Sequence, residues 1–202
     1  MKVLVLDNYD SFTYNLVHML HSMDVVCEVC RNDEIDSEGA QKFDVIILSP
    51  GPGIPSEAGH MSKIIESCAG NKPILGICLG HQAIAEYLGA TLRNMPKVYH
   101  GIKDSIFINS NDQIFYGLPK KIQVGRYHSW EVSREDLPAD VSVLAEDEFG
   151  TIMALSDPIK KLYGIQFHPE SVMTEYGELI LKNFIKISET SHQSEPKMTS
   201  EF

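Results

Sequence analysis

The chain has 202 residues, 43% of them hydrophobic, which suits one ordinary globular domain. It holds no apolar run of the roughly 18 residues a membrane span needs, and its start, MKVLVLD, is too short in apolar residues for a signal peptide, so a cytoplasmic location is expected. A net charge of −11 argues against nucleic acid and against an anionic membrane surface as partners. Residues 2–6 read as a buried strand ending at Asp7, and residues 13–22 as a helix with Tyr14, Val17, His18 and His21 at helical spacing. Residues 25–30 read as a second strand. Its C-x-x-C, Cys27 and Cys30, places the two sulfurs on opposite faces, and no second C-x-x-C completes a zinc site, so neither redox nor zinc chemistry is expected. Residues 43–48 are a third strand rich in β-branched side chains. Residues 59–69 follow as a helix with Met61, Ile64, Ile65 and Cys68 on one face, where Cys68 is packing. A fourth strand begins at Pro73 and leads through a sharp turn into a helix that reaches Leu88.

This alternation predicts an α/β fold with a mostly parallel central sheet and helices on both faces. Short β-like runs then recur at 105–108, 121–124, 141–145, 152–155 and 162–167, separated by turn signals. A last helix is expected over 175–187. Residues 1–187 are therefore expected to form one domain, and the polar tail 188–202 to be disordered. In a parallel sheet, sites lie beyond the carboxyl ends of the strands. Asp7-Asn8, Ser49-Pro50-Gly51 and the turn at Cys78 all fall there.

The turn reads G-I-C-L-G-H-Q over residues 76–82. Gly76 and Gly80 flank Cys78 at two residues on either side, the layout of a nucleophile elbow with sulfur in place of a serine hydroxyl. A Cβ at either flank would crowd the turn, and the helix N-terminus favours the attacking thiolate form. The same pattern also fits a tight strand-to-helix turn without chemistry, so further residues must decide. A thiolate that forms an acyl-enzyme needs a base, a group to orient it, and an oxyanion hole. In Q-F-H-P-E, Pro169 biases His168 toward extended backbone, and residues i and i+2 of an extended chain face the same side. His168 and Glu170 can then share one site. Ser49-Pro50-Gly51-Pro52-Gly53 is a rigid loop whose N–H groups, with that of Leu79, can serve a developing oxyanion. It is not a phosphate loop, because no Lys-Ser/Thr follows.

Together G-I-C-L-G-H-Q, S-P-G-P-G and F-H-P-E resemble class I glutamine amidotransferases, a family with a Cys-His-Glu triad and a flavodoxin-like sheet, and the resemblance runs to about residue 187. D-N-Y-D-S-F-T-Y-N-L (7–16) and G-R-Y-H-S (125–129) narrow it to the glutaminase subunits of anthranilate or aminodeoxychorismate synthase. The resemblance implies that Cys78 attacks the glutamine side-chain amide, that His168 moves the proton, and that Glu170 orients the imidazole. Gly53 and Leu79 would donate to the oxyanion, and Gly51, Pro52 and Gly53 would border the substrate. Gln82 would hold its α-amino or carboxylate end, with Ser129 and Trp130 contacting it through their backbone.

The same resemblance implies that glutamine is the substrate and that ammonia passes to a separate chorismate-using synthase subunit. The chain itself is expected to need no cofactor, and Mg²⁺ to belong to that partner. Ser11 and Asn15 would face the partner. The same segment also reads as a strand-to-helix turn in which Ser11 caps the first helix and Phe12, Tyr14 and Leu16 are core; a mixture is expected, with Ser11 and Asn15 available to the partner and the apolar residues buried. Two departures stand out: Trp130 where leucine is common, and Lys103 one position late in H-G-I-K (100–103). A non-catalytic interaction subunit of the same fold and a free-standing γ-glutamyl hydrolase are the competing readings.

Overall fold

The structure, a computed structural model, describes residues 1–193. In chain order the first half holds β1 (Val3–Asp7), α1 (Thr13–Ser22), β2 (Cys27–Arg31), α2 (Ser37–Ala40), β3 (Val45–Leu48), α3 (Met61–Cys68), β4 (Ile74–Ile77) and α4 (Leu79–Tyr87). The second half holds β5 (Leu92–Asn94), β6 (Ile102–Ile108), β7 (Lys121–Arg126), β8 (Trp130–Val132), β9 (Ser142–Glu146), β10 (Ile152–Asp157), β11 (Leu162–Ile165) and α5 (Gly177–Gln193).

One nine-stranded sheet runs in the order β2-β1-β3-β4-β11-β10-β9-β6-β7. The first five of these pair in parallel, and the rest pair antiparallel. The expected flavodoxin-like parallel sheet is therefore present, extended by an antiparallel half. β5 and β8 form a separate two-stranded ribbon.

Strand alternation explains why helices cover both faces. Val3, Val5, Val45 and Ile47 point into a core shared with Leu16 and Leu20 of α1 and Ile180 and Phe184 of α5. Their neighbours Leu4, Leu6, Ile46 and Leu48 point into a second core shared with α3 and α4. On α3, Met61, Ile64, Ile65 and Cys68 are all fully buried, each apolar side chain contributing on the order of 1.5–3 kcal/mol. Cys27 and Cys30 pack against different cores, as strand geometry requires.

Several expectations are corrected. Ser11 does not cap α1. The helix begins after Phe12 without a side-chain cap; Asp10 Oδ1 accepts the Phe12 N–H at 2.8 Å in the preceding turn, and Thr13 Oγ1 donates to Asp7 Oδ1 at 2.8 Å. Ser11 and Asn15 are exposed. Of the three candidate core residues only Leu16 is fully buried; Phe12 is half-buried and Tyr14 is 68% exposed. The domain boundary at 187 falls inside α5, which continues to Gln193, and Ser188 is buried with its hydroxyl on the Phe184 carbonyl. The remainder of the expected tail, 194–202, lies outside the described residues. α2, β5 and β8 are too short to leave a periodic signal and escape the sequence reading.

Candidate active site

β1, β3, β4 and β11 lie side by side and parallel, so the segments leaving them converge on one edge of the sheet. Asn8 follows β1, the Ser49–Gly53 loop follows β3, Cys78 follows β4, and His168 lies three residues beyond β11.

Cys78 is the elbow. Its φ of 52° and ψ of −99° form a strained conformation for a residue with a Cβ. The surroundings enforce it: a Cβ on Gly76 would overlap the backbone of Gly80, and one on Gly80 would sit 2.7 Å from Leu48 Cβ. Cys78 N–H bonds the Ile165 carbonyl at 2.8 Å, tying the elbow to the strand that carries the histidine segment. Leu79 is the first residue of α4, where a backbone N–H has no acceptor within its own helix.

His168 and Glu170 meet as the spacing predicts, with Nδ1 2.7 Å from Oε1 and both side chains buried. The route differs from the expected one. β11 ends at Ile165, and a turn, closed by the Ser171 N–H on the His168 carbonyl at 3.2 Å, brings the two together. The edge of the His168 ring packs against Phe12 and Tyr127, with centroids 5.2 and 4.8 Å away. Its Nε2 is buried and makes no hydrogen bond within the described residues. Burial disfavours charge on His168, but Cys78 and Glu170 outweigh it and push the imidazole up to about 10. A base oriented by a carboxylate, with its second nitrogen unengaged beside a sulfur, can accept a thiol proton and return it to a leaving group.

The Ser49–Gly53 loop is fixed from beneath. Ser49 Oγ accepts the Asn8 N–H at 2.9 Å and donates to the Pro50 carbonyl, and Asn8 Nδ2 reaches the Ser49 carbonyl at 2.8 Å. Gly51 is wedged between Asn8 and Leu79. Pro52 and Gly53 are exposed, and Gly53 has φ +74°. Gln82 is buried, its Nε2 donating to the Trp130 carbonyl and to Gln166 Oε1, both at 3.1 Å. The Ser129 carbonyl accepts from Met95 N at 2.8 Å. Trp130 therefore enters this network through its main chain, which makes its side-chain identity secondary. Lys103 lies on β6 and pairs with Glu175 at 3.7 Å.

Sequence reasoning missed the support behind these groups. Arg126 is fully buried and bonds Asp104, Asp147 and His128 Nε2. His128 Nδ1 bonds the Trp130 carbonyl at 2.8 Å. Gln166, fully buried, reaches Cys78 Sγ at 3.6 Å. His81 is fully buried, and neither ring nitrogen makes a hydrogen bond within the described residues. Nothing in one sequence separates these from ordinary polar surface residues. Among the described residues no group of three or more His, Cys, Asp or Glu is placed to hold a metal ion.

Burial pushes His81 down to about 3 and His128 down to about 4. The unfolded chain then binds more protons below the ordinary value of 6.5, so stability is fully present above 6.5 and falls as pH drops. Between pH 7 and pH 5.5 each histidine is expected to remove about 1 kcal/mol, about 2 kcal/mol together. His168 acts oppositely: its raised value adds stability as pH falls through 6.5, offsetting somewhat under about 1 kcal/mol of that acid loss, and the contribution is lost as pH rises toward 10, so a net loss of about 1–2 kcal/mol is expected. Urea midpoints at the two pH values measure this, and equal midpoints would refute it.

The class I glutamine amidotransferase family model matches residues 4–187. Anthranilate synthase component 2 of Lactococcus lactis is 42% identical over 198 residues, covering 96% of this chain and all of that protein. Anthranilate synthase component 2 of Mycobacterium tuberculosis is 43% identical over 190 residues, covering 92% of this chain and 82% of that one. A Thermoplasma acidophilum structure provisionally described as part of a GMP synthase superposes with a TM-score of 0.87 at 31% identity, covering 96% of each chain. A glutamine amidotransferase from Thermotoga maritima, at 18% identity and TM-score 0.74, shares the fold over 96% of this chain and 84% of its own. The chain belongs to the class I glutamine amidotransferases and is of the type represented by anthranilate synthase component II.

Proposed function

We propose that the chain is the glutaminase subunit of a cytoplasmic chorismate-using synthase, hydrolysing L-glutamine with Cys78, His168 and Glu170 and passing the ammonia to its partner. The observation that carries this reading is the strained Cys78 elbow beside an imidazole held at 2.7 Å by a buried carboxylate. The Cys78 sulfur attacks the side-chain amide carbon of glutamine, and His168 Nε2 takes the thiol proton. The carbonyl oxygen becomes an oxyanion facing the Leu79 and Gly53 N–H groups. Collapse of the tetrahedral adduct breaks the C–N bond, and His168 returns the proton to the departing nitrogen, which leaves as ammonia. Water, deprotonated by the same imidazole, then cleaves the γ-glutamyl thioester to glutamate and frees the sulfur. Glu170 holds the ring in one tautomer and stabilises the imidazolium.

Gln82 uses both protons of its Nε2 on Trp130 and Gln166, which leaves Oε1, an acceptor. An acceptor suits the α-ammonium of glutamine better than its carboxylate. Gly51, Pro52, Gly53, Ser129 and Trp130 would border the same substrate.

Ser11 and Asn15 are exposed at the start of α1, next to Phe12 and hence to His168. A groove of about 570 Å³ at the His168–Glu170 turn is lined by Met19, Pro169, Glu170, Ser171 and the fully exposed Val172. A synthase subunit seated across these features would cover the triad and receive ammonia. Chorismate and Mg²⁺ belong to that subunit in this reading. The names of the relatives favour anthranilate as the product.

The test combines the chain with each candidate synthase of its organism, glutamine, chorismate and Mg²⁺, and identifies the aromatic product by mass. Anthranilate is expected. Aminodeoxychorismate alone would move the chain to that synthase, and both products would make it a shared subunit. Glutamine hydrolysis that needs no partner and yields neither product would indicate a free-standing hydrolase. No labelling of Cys78 by an electrophilic glutamine analogue, with or without partner, would leave only an interaction subunit.

A further inference from the structure

A line of buried hydrogen bonds connects the guanidinium of Arg126 to the sulfur of Cys78, and its direction can be deduced. Arg126 Nε can only donate, so His128 Nε2, 3.1 Å away, accepts. His128 Nδ1 therefore carries the proton and gives it to the Trp130 carbonyl. That carbonyl can only accept, so the Gln82 atom 3.1 Å from it is Nε2, as is the atom facing Gln166. Gln166 must then present Oε1 to Gln82, and its Nε2, a donor, lies 3.6 Å from Cys78 Sγ. The orientation of both amides, which shape alone leaves ambiguous, is thereby fixed by a main-chain carbonyl.

We propose that Gln166 positions both halves of the glutaminase reaction, its Nε2–H holding the Cys78 sulfur while its Oε1 holds the amide of Gln82 that faces the substrate. Three further observations bear on it. Gln166 is fully buried, so an amide there is costly unless its polar atoms are used. Its main chain is pinned by the N–H bond to the Met153 carbonyl of β10 at 2.9 Å, which fixes where the amide begins. It also sits two residues before His168, so one short segment delivers the base and the group that steadies the nucleophile. An N–H pointed at sulfur favours its negatively charged form, both before attack and when the thioester is cleaved and the thiolate departs.

The inference rests on Cys78 being the nucleophile, and the test is chosen to separate the two. Iodoacetamide alkylation of Cys78 in the free chain needs no glutamine turnover. It is followed from pH 6 to pH 9.5 by peptide mass spectrometry, so that Cys27 and Cys30 are counted apart. Gln166→Met keeps most of the volume and removes the donor. Its Cys78 is expected to react about tenfold more slowly at pH 7, with the gap closing as pH rises. Gln166→Glu keeps an acceptor for Gln82 but sets an oxygen against the sulfur. In the complex with the synthase subunit, Gln166→Glu is expected to keep KM for glutamine within about twofold while kcat falls about tenfold or more; Gln166→Met is expected to raise KM severalfold as well. Circular dichroism establishes that each variant is folded, and the Glu variant serves if the Met variant is not. Alkylation curves that overlay the wild type would show that Gln166 only fills space. Equal KM values in the two variants would break the link to Gln82. If wild-type chain and partner fail to hydrolyse glutamine at all, the glutaminase reading falls, while the alkylation comparison still reports on the Gln166–Cys78 contact.

Discussion

Cys78→Ala is expected to abolish glutamine-dependent product formation, by at least about 10⁴-fold, while leaving ammonia-dependent synthesis by the partner subunit intact. The sulfur is the only group at the elbow that can form the thioester, and no other described cysteine is near: Cys68 lies in α3, and Cys27 and Cys30 are on β2. The variant should fold. Alanine keeps the Cβ that the backbone already tolerates at φ 52°, and it introduces no larger group among Gly76, Gly80 and Leu48. Deleting one nearly buried sulfur costs little beside its effect on rate. Because the surface proposed for the partner, on α1 and the His168–Glu170 turn, is untouched, the complex should assemble and use added ammonium salts. Measuring both reactions on the purified complex checks this. Loss of the ammonia reaction in a folded complex would contradict the division of labour, and residual glutamine turnover above a hundredth of wild type would exclude Cys78 as the nucleophile.

The parallel half of the fold was legible because β1, β3, β4 and β11 are short, mainly apolar runs between turn residues, with only the edge strand β2 mixed in character, and each site segment follows such a run. Cys78 and the His168/Glu170 pair were legible for a chemical reason: glycine spacing and an i, i+2 acid leave a pattern in one dimension. His168 and Glu170 do meet, but through a different backbone from the one expected, since a turn and not extended chain joins them. Ser11 failed as a cap because the helix starts one residue later than such a cap requires, after Phe12, and Asp10 Oδ1 takes the Phe12 N–H in the turn before it. Tyr14 failed as core because helical spacing records which residues share a face, not which face the sheet covers; Thr13, Leu16 and Leu20 define that face. Arg126, His128 and Gln166 fall within quoted motifs, but their burial and their joining into one layer behind the site left no trace. Its members come from β7, the loop before β8 and the turn after β11, and only the folded sheet brings them together.

That layer carries the second large effect. Arg126→Met is expected to destabilise the chain by about 3–5 kcal/mol, because it strands charge instead of merely removing a bond. Arg126 is fully buried, with Nη1 2.7 Å from Asp147 and 2.8 Å from Asp104, and its guanidinium lies 3.7 Å over the Tyr99 ring. The Asp147 side chain is 1% exposed. Burial alone would raise its proton affinity, but the Thr151 N–H and Arg126 outweigh that and hold the carboxyl below its ordinary value. With methionine in place of arginine the volume is nearly kept, yet Asp147 loses its only cationic partner among the described residues in a place water hardly reaches. The deficit should shrink as pH falls through the variant's own Asp147 titration, which burial without Arg126 moves upward, because a proton can then replace the missing cation. Arg126→Lys should recover part of the loss, since an ammonium supplies charge but cannot serve two carboxylates and His128 and also lie flat on Tyr99. Glutamine binding should suffer in the same order. Without the Arg126 donor, His128 is free to change tautomer, and the Trp130 carbonyl that anchors Gln82 loses its partner. Urea unfolding of the three proteins, with KM for glutamine in the complex, measures both effects. A loss under about 1 kcal/mol for Arg126→Met would mean that water or a rearranged loop compensates Asp147. An unchanged KM in a folded variant would show that the hydrogen-bond line from Arg126 to Gln82 does not reach the substrate.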